Sequence, residues 1–264
     1  KMTLKQGVPF GLDIRPRITE EKFDDPVVKE AVIKTLEEYK GTVIADNIER
    51  LNPTYQGSVK GSDPYTDSAL ILNHRELSGR NILPVNPKQR EIALAEGVLH
   101  DSSLTNPRKM YLGIGLFSVY PEKGANPVTW NYLRGQIREY FNDSVKLKEP
   151  FIVTGLIRPV KDDRFENGLR PEYIEGLTFM ENIQALIKPG EFKFSSEDPE
   201  LQRSGFPSKL GEGNRTLYTA NTGAHRFIRG RYLNLVAWDE DLAYSYDTGR
   251  VHMVAKNFSS GNLD

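Results

Sequence analysis

Cysteine is absent from this 264-residue chain, and histidine is scarce. Without cysteine the protein has no disulfide bond, no thiolate metal site, no iron–sulfur cluster and no cysteine nucleophile. The four histidines are scattered, and no two of them form the i, i+4 pair on a helix that zincin-type metal sites use. A histidine-rich metal site would therefore have to be assembled from distant segments.

The chain also lacks an excess of charge and long apolar runs. The formal net charge is −1, so any contact with nucleic acid needs a local basic patch rather than a basic surface. No stretch approaches the roughly 18 apolar residues of a membrane-spanning helix, and no signal-peptide pattern opens the chain. We therefore expect a soluble, cytoplasmic protein without a membrane partner, of unknown oligomeric state.

Apolar periodicity places most of the predicted helices in the first part of the chain. Helices are predicted at "DPVVKEAVIKTLEEYKG", "DPYTDSALILNHREL", "NPKQREIALAEGVLH" and "NPVTWNYLRGQIREYF", each with a proline near its first turn. Strands are predicted at "TVIAD" and at the aromatic-rich "KMYLGIGLFSVY". Residues 1–149 are accordingly predicted to form a helix-rich N-terminal region, to which the sequence assigns no role.

Residues 150–264 are predicted to form a second domain. "FIVTGLIRPV" and "RTLYTA" indicate strands, "RPEYIEGLTFMENIQALIKPG" indicates a helix, and "LAYSYDTGRVHMVA" indicates a hairpin that turns at Asp247-Thr248-Gly249. The whole chain is thus predicted to be α+β, with a mixed or antiparallel sheet in its C-terminal part.

A basic stretch, "TGAHRFIRGRYLNL", spans residues 222–235. It does not alternate as a half-buried strand would, whereas a helix from Ala224 places Ala224, Ile228, Tyr232 and Leu235 on one stripe. Gly223 would then precede the first turn, where backbone N–H groups favour an anion, and His225 and Arg226 would add donors. Alternatively, the arginines pair with the acidic run at residues 239–241 or are solvated.

The order of these motifs resembles that of the ParB/sulfiredoxin-like family. The matching segments are "LIRPVKDDR", "EYIEGLTFMENIQALIKPGEF" and "LYTANTGAHRFIRGRYLNL", where the last contains the G-x-H-R turn that the family follows with a helix. The resemblance covers roughly the last hundred residues. The sulfiredoxin reaction is excluded, because Ala224 stands where the reactive cysteine would be. No second ParB motif is found, so chromosome partition is not expected.

The resemblance implies a site for nucleotide phosphates. Gly223, His225 and Arg226 would line it, with Arg164 nearby and Arg229 one helical turn beyond Arg226. The implied ligand is ATP or CTP with Mg²⁺. In "KDDRFE", Asp162 and Asp163 could ligate the magnesium, since hard cations prefer oxygen ligands, although such a loop is also typical of a solvated acidic turn.

Three functions follow as hypotheses. The first is a nucleotide- or phosphate-binding protein, such as a phosphotransferase, an NTPase or another hydrolase. The second is a DNA-binding or RNA-binding protein or nuclease that uses the same turn on a backbone phosphate. The third is a structural or assembly protein, viral or cell-surface, without catalysis. The sequence identifies no catalytic residue.

Overall fold

The computed structural model describes residues 4–6, 18–96, 112–180 and 183–255. Within these ranges the protein is α+β, as predicted. The strands are β1 Leu4–Gln6, β2 Ile18–Glu20, β3 Ile82–Pro84, β4 Leu112–Val119, β5 Phe151–Lys161, β6 Leu169–Met180, β7 Gly190–Phe194, β8 Arg215–Thr219, β9 Ala224–Arg229, β10 Leu235–Asp239 and β11 His252–Ala255. The helices are α1 Pro26–Glu38, α2 Val43–Leu51, α3 Pro64–Ser78, α4 Pro87–Ala95, α5 Pro127–Tyr140 and α6 Glu200–Ser204.

A large mixed sheet organises the molecule. Its strand order is β1-β6-β5-β4-β9-β10-β8-β7, and the neighbours pair antiparallel except β8 and β10, which run parallel. Strand β4 lies between β5 and β9, with Phe117 opposite Val153 on one side and Arg226 on the other. The predicted boundary at 149/150 therefore does not coincide with a break in this sheet.

A second, three-stranded sheet has the order β2-β11-β3 and is antiparallel. It corrects the prediction of a hairpin over residues 242–255. Strand β11 pairs with β2 and β3 from the first hundred residues, and the segment before it, residues 240–251, is irregular. Alternating apolar residues marked β11 as a strand, but they carried no information about which distant strand it would join.

The helix starts follow from local capping. Asp25 accepts a hydrogen bond from Val27 N at 2.9 Å, and Asp63 accepts bonds from Tyr65 N and Thr66 N at 3.0 and 2.8 Å. Helix α4 begins with a capping box between Asn86 and Gln89. These starts, each followed by a proline in the first turn, confirm the predicted starts of α1, α3 and α4, and α5 is confirmed as well. The helix predicted over residues 86–100 ends at Ala95, and its residues 97–100 lie outside the described part of the chain.

Three other predicted elements are wrong. "TVIAD" lies at the start of helix α2 rather than in a strand, and most of the helix predicted over residues 170–190 is strand β6, followed by a 3-10 turn at Gln184–Leu186. The helix predicted from Ala224 is strand β9, in which all six residues are buried. A strand covered on both faces need not alternate apolar with polar residues, so its pattern was mistaken for a helical one.

Two groups of buried apolar side chains cover opposite faces of the large sheet. Phe151 and Val153 belong to the first group, with side chains of α1, α3 and α5, whereas Ile152 between them belongs to the second. The second group combines strands β7 to β10 with Leu201 of α6 and with Phe206. Among the described residues, no helix is both long and apolar enough to cross a membrane.

Candidate functional site

Gly223 forms the turn before β9 with a φ of +82°. Its N–H donates to the Glu122 carbonyl at 2.8 Å, and its own carbonyl accepts from Tyr120 N at 2.9 Å. A Cβ at this position would lie 2.4 Å from the backbone N and O of Ala125. Glycine is therefore required by the backbone conformation and the close contact, and the N–H expected to meet a phosphate is bonded within the protein.

His225 and Arg226 are both buried, on opposite faces of β9. The Nε2 of His225 lies 2.7 Å from the Thr222 carbonyl, and its ring meets Tyr120 edge to face. Arg226 forms a salt bridge with Asp239, with Nη2 2.7 Å from Oδ2, and it also donates to the Tyr244 carbonyl. Pairing with the acidic run, the alternative considered for this stretch, is therefore what Arg226 does.

Arg164 lies apart from these residues, in the turn between β5 and β6. Its side chain is 82% exposed and donates two hydrogen bonds to Asp162, at 2.8 and 2.7 Å. These bonds lower the pKa of Asp162 to about 2. Across the described ranges, no group of three or more histidine or acidic residues is arranged to hold a metal, so Asp162 and Asp163 remain a predicted pair of magnesium ligands.

An aromatic cleft of about 350 Å³ opens beside the predicted site, on the face of the sheet that carries Arg226. Tyr218, Val236 and Ile228 are aligned on the neighbouring strands β8, β10 and β9 and form its floor. The other lining residues are Gly230, Tyr232, Asn234, Trp238, Asp239 and Tyr246. Four of the nine are aromatic, and none of those described as lining the cleft is lysine or arginine.

Trp238 and Tyr218 form an aromatic platform at one side of the cleft. Their ring centroids are 4.9 Å apart and their planes are inclined by 35°, so the rings already contact one another. Trp238 is 44% exposed. Such a pair offers a broad apolar surface to a ligand ring at little entropic cost, since neighbouring packing restrains both side chains.

Asp239 is the fixed polar group of the cleft. Its Oδ2 accepts from Arg226 and from the Tyr246 hydroxyl, the latter at 3.1 Å, and its Oδ1 accepts from Asp241 N at 3.2 Å. The Arg226 guanidinium also lies 4.9 Å from the centroid of the Tyr246 ring. Arg226 thus orients both an acceptor and an aromatic wall of the cleft from beneath.

Tyr232 forms the exposed rim. It is 64% exposed, and its φ of +58° and that of Leu233, +64°, place two consecutive non-glycine residues in the left-handed region. Asn234 holds this turn closed, because its carbonyl accepts from Gly230 N and its Oδ1 accepts from Thr216 N, both at 2.8 Å. The strained turn keeps a large aromatic side chain at the mouth of the cleft.

The loop that carries Tyr246 is anchored to the N-terminal helices. Ser245 donates to the buried carboxyl of Asp63, and Asn47 donates to the Ala243 carbonyl at 2.7 Å. Burial raises the pKa of Asp63 above its ordinary value. These bonds tie one wall of the cleft to helices α2 and α3.

The sequence prediction located one residue that supports the cleft, Arg226, but not the residues that line it. Val236 and Trp238 do share a face by the two-residue period of a strand, and the acidic run was considered as a partner for the arginines. No local signal aligns β8 with β10, because these two sheet neighbours are separated in sequence by strand β9. The cleft therefore depends on contacts that are distant in sequence.

Searches for similar proteins returned nothing: no protein-family model, curated protein or solved structure matches the chain. The resemblance to the ParB/sulfiredoxin-like family stays a prediction.

Proposed function

We propose that the protein binds a neutral saccharide, with one sugar ring on the platform of Trp238 and Tyr218. The observation that carries the proposal is the joint presence, in one open cleft, of exposed aromatic rings and a rigidly held carboxylate. The apolar face of a sugar ring packs on the platform, while its hydroxyls donate to Asp239 and accept from the Asn234 amide.

The charge around the cleft favours a neutral ligand. Phosphates would meet the Asp239 carboxylate without a lysine or arginine among the described lining residues. A cationic ligand would meet the Arg226 guanidinium, which already neutralises Asp239 and stacks on Tyr246. Anionic and cationic ligands would therefore each meet a group of like charge whose position is fixed by the fold.

The ring geometry excludes a planar base inserted between Tyr218 and Trp238. A base inserted between two aromatic rings needs about twice the ordinary stacking separation, roughly 7 Å, between them. Tyr218 and Trp238 are 4.9 Å apart and fill that space themselves. A sugar needs one continuous platform, which this pair provides.

Tryptophan fluorescence gives a direct test, because the chain contains two tryptophans. In a Trp130→Phe variant, emission comes from Trp238 alone. We expect cellotriose, maltotriose or chitotriose to change this emission saturably. Tyr232→Ala should weaken binding about tenfold, corresponding to roughly 1.4 kcal/mol, whereas Tyr140→Ala, at a 46% exposed tyrosine outside the cleft, should not.

The nucleotide hypothesis is tested in parallel. ATP and CTP, with and without Mg²⁺, are added to the same variant and to the wild type in thermal unfolding experiments. A nucleotide-dependent rise in Tm without any saccharide response would replace the saccharide proposal by the nucleotide one. Oligomerisation without any ligand response would instead favour the structural or assembly role.

A further inference from the structure

Two buried arginines, one of them on the other face of β9, have no hydrogen-bond partner among the described residues. Arg229 lies at the end of β9 and Arg90 in helix α4, and both are 0% exposed. Every guanidinium nitrogen of both side chains is buried and, among the described residues, has no hydrogen-bond partner. A buried guanidinium without a partner is strongly unfavourable, so the pair requires an explanation.

Other buried arginines show how this fold ordinarily satisfies the group. Arg215 donates through Nη1 and Nη2 to the two carboxylate oxygens of Glu91, at 2.7 and 2.8 Å, and through Nε to the Leu233 carbonyl at 2.7 Å. Arg226 has the partners described above. Among the described buried arginines, only Arg90 and Arg229 are unpartnered at all three guanidinium nitrogens.

The acidic groups near the pair, Asp67 and Glu91, make no hydrogen bond to either guanidinium. Glu91 is engaged by Arg215 in a bidentate ion pair. Burial, followed by the charge of Arg90, lowers the pKa of Arg229 well below its ordinary value. Asp67 is a weak counter-charge: burial and the neighbouring Asp63 raise its pKa, and its Oδ1 has no partner in the described part of the chain.

His252 completes the cluster from strand β11. It is 4% exposed and lies near the Arg250 backbone, and neither ring nitrogen makes a hydrogen bond of ordinary geometry to a described residue. Burial and the charges of Arg90, Arg229 and Arg250 lower its pKa well below the ordinary value, so the ring is neutral and has one N–H donor. Three elements that are distant in sequence, α4, β9 and β11, therefore bring donors without acceptors to one buried place.

We propose that Arg90, Arg229 and His252 enclose a small tetrahedral oxyanion, inorganic phosphate or sulfate. Two guanidinium groups present planar pairs of N–H donors that match such an oxyanion, and its charge offsets theirs. Because all three side chains are buried, the bound ion is enclosed rather than a phosphoryl group of a larger ligand. The site is independent of the saccharide cleft, since Arg229 and the cleft residue Ile228 are adjacent in β9 and point to opposite faces.

The first experiment uses the wild-type protein after exhaustive dialysis into a phosphate-free and sulfate-free chloride buffer. The protein is unfolded and the released anions are measured by ion chromatography. Thermal unfolding is then recorded with increasing inorganic phosphate at constant ionic strength. We expect either about one retained oxyanion per chain or a saturable rise in Tm of several degrees, because an ion that binds only the folded state stabilises it.

Variants test whether the phosphate-dependent rise in Tm comes from the cluster of Arg90, Arg229 and His252. Arg229→Met and Arg90→Met replace a buried guanidinium by an apolar chain of similar length and should abolish the phosphate-dependent rise in Tm. Arg138→Met removes an exposed arginine of α5 and should leave that rise unchanged. If a methionine variant fails to fold, ³¹P NMR of the wild type replaces it, with a displaced resonance for enclosed phosphate as the expected result.

Three outcomes would overturn the proposal. The first is a wild type that retains no oxyanion and shows no rise in Tm with phosphate or sulfate. The second is an equal rise in Arg229→Met and the wild type, which would place the ion elsewhere. The third is a rise with AMP equal to that with inorganic phosphate, which would show an open site for phosphoryl groups of larger molecules.

Discussion

The substitution Arg226→Met separates two roles for the central arginine of the basic stretch. As a phosphate ligand, Arg226 would be dispensable for folding, and its loss would affect only nucleotide binding. In the structure its side chain is 1% exposed and that of its partner Asp239 is 16% exposed. Removing it therefore leaves a largely buried carboxylate that retains the Tyr246 hydroxyl and the backbone N–H of Asp241.

The expected loss can be worked from these contacts. One hydrogen bond between charged groups contributes about 1.5–3 kcal/mol, and removing one partner of a buried ion pair costs about 3–5 kcal/mol. Arg226 also donates to the Tyr244 carbonyl, which would lose that bond. We expect Arg226→Met to lower the free energy of unfolding by about 3–5 kcal/mol.

Urea unfolding of a double-mutant cycle provides the assay. In Arg226→Met with Asp239→Asn no buried charge is left without a partner, so about 2–3 kcal/mol of the loss should be regained. Arg138→Met, at an exposed arginine of α5, serves as the control and should change stability by less than about 0.5 kcal/mol. A loss below about 1 kcal/mol in Arg226→Met, or additive effects in the cycle, would refute this explanation of the arginine.

Three further predictions concern other residues. Gly223→Ala and Gly41→Ala both place alanine at positive φ, which costs about 1–2 kcal/mol. The new Cβ at Gly41 has no atom within 4 Å, so urea unfolding should show a clearly larger loss of stability for Gly223→Ala. Equal losses of stability in the two variants would contradict the close-contact argument. Because the raised pKa makes folded Asp67 bind its proton more tightly than the unfolded chain does, its contribution to stability should fall as pH rises above about 4. The wild type should therefore become less stable relative to Asp67→Asn between pH 4 and 7, and parallel urea-unfolding curves would argue against it. NMR titration should place the Asp162 midpoint near 2, and Arg164→Ala should move it upward; an unchanged midpoint would mean that the arginine does not hold this carboxyl.

The local elements were the predictable part of this fold. Helix starts at Asp25, Asp63 and Asn86 depend on a capping side chain and a following proline, which lie within three residues of one another. Long apolar runs likewise predicted β4 and β5. These elements could be predicted from the sequence because the groups that stabilise them are neighbours in the chain.

The candidate functional site was less predictable than the helices and strands, because the residues that contact one another in it are distant in sequence. Arg226 and Arg229 have the three-residue spacing that a helix would place on one side, and the same spacing in a strand puts them on opposite faces. Whether the segment forms a helix or a strand depends on groups distant in sequence. Strands β4 and β10 pair with its two edges, and side chains such as Phe206 pack against its face.

The sequence by itself determined the capped helices, several strands and the α+β class, since capping and periodicity act over a few residues. Only the tertiary structure decided that the basic stretch is a buried strand. On one face it directs Arg226 to Asp239 beneath the aromatic cleft; on the other it brings Arg229 close to Arg90 and His252. The physical reason is that the role of a buried charged side chain depends on the group that balances its charge. Here the balancing groups lie on other segments of the fold.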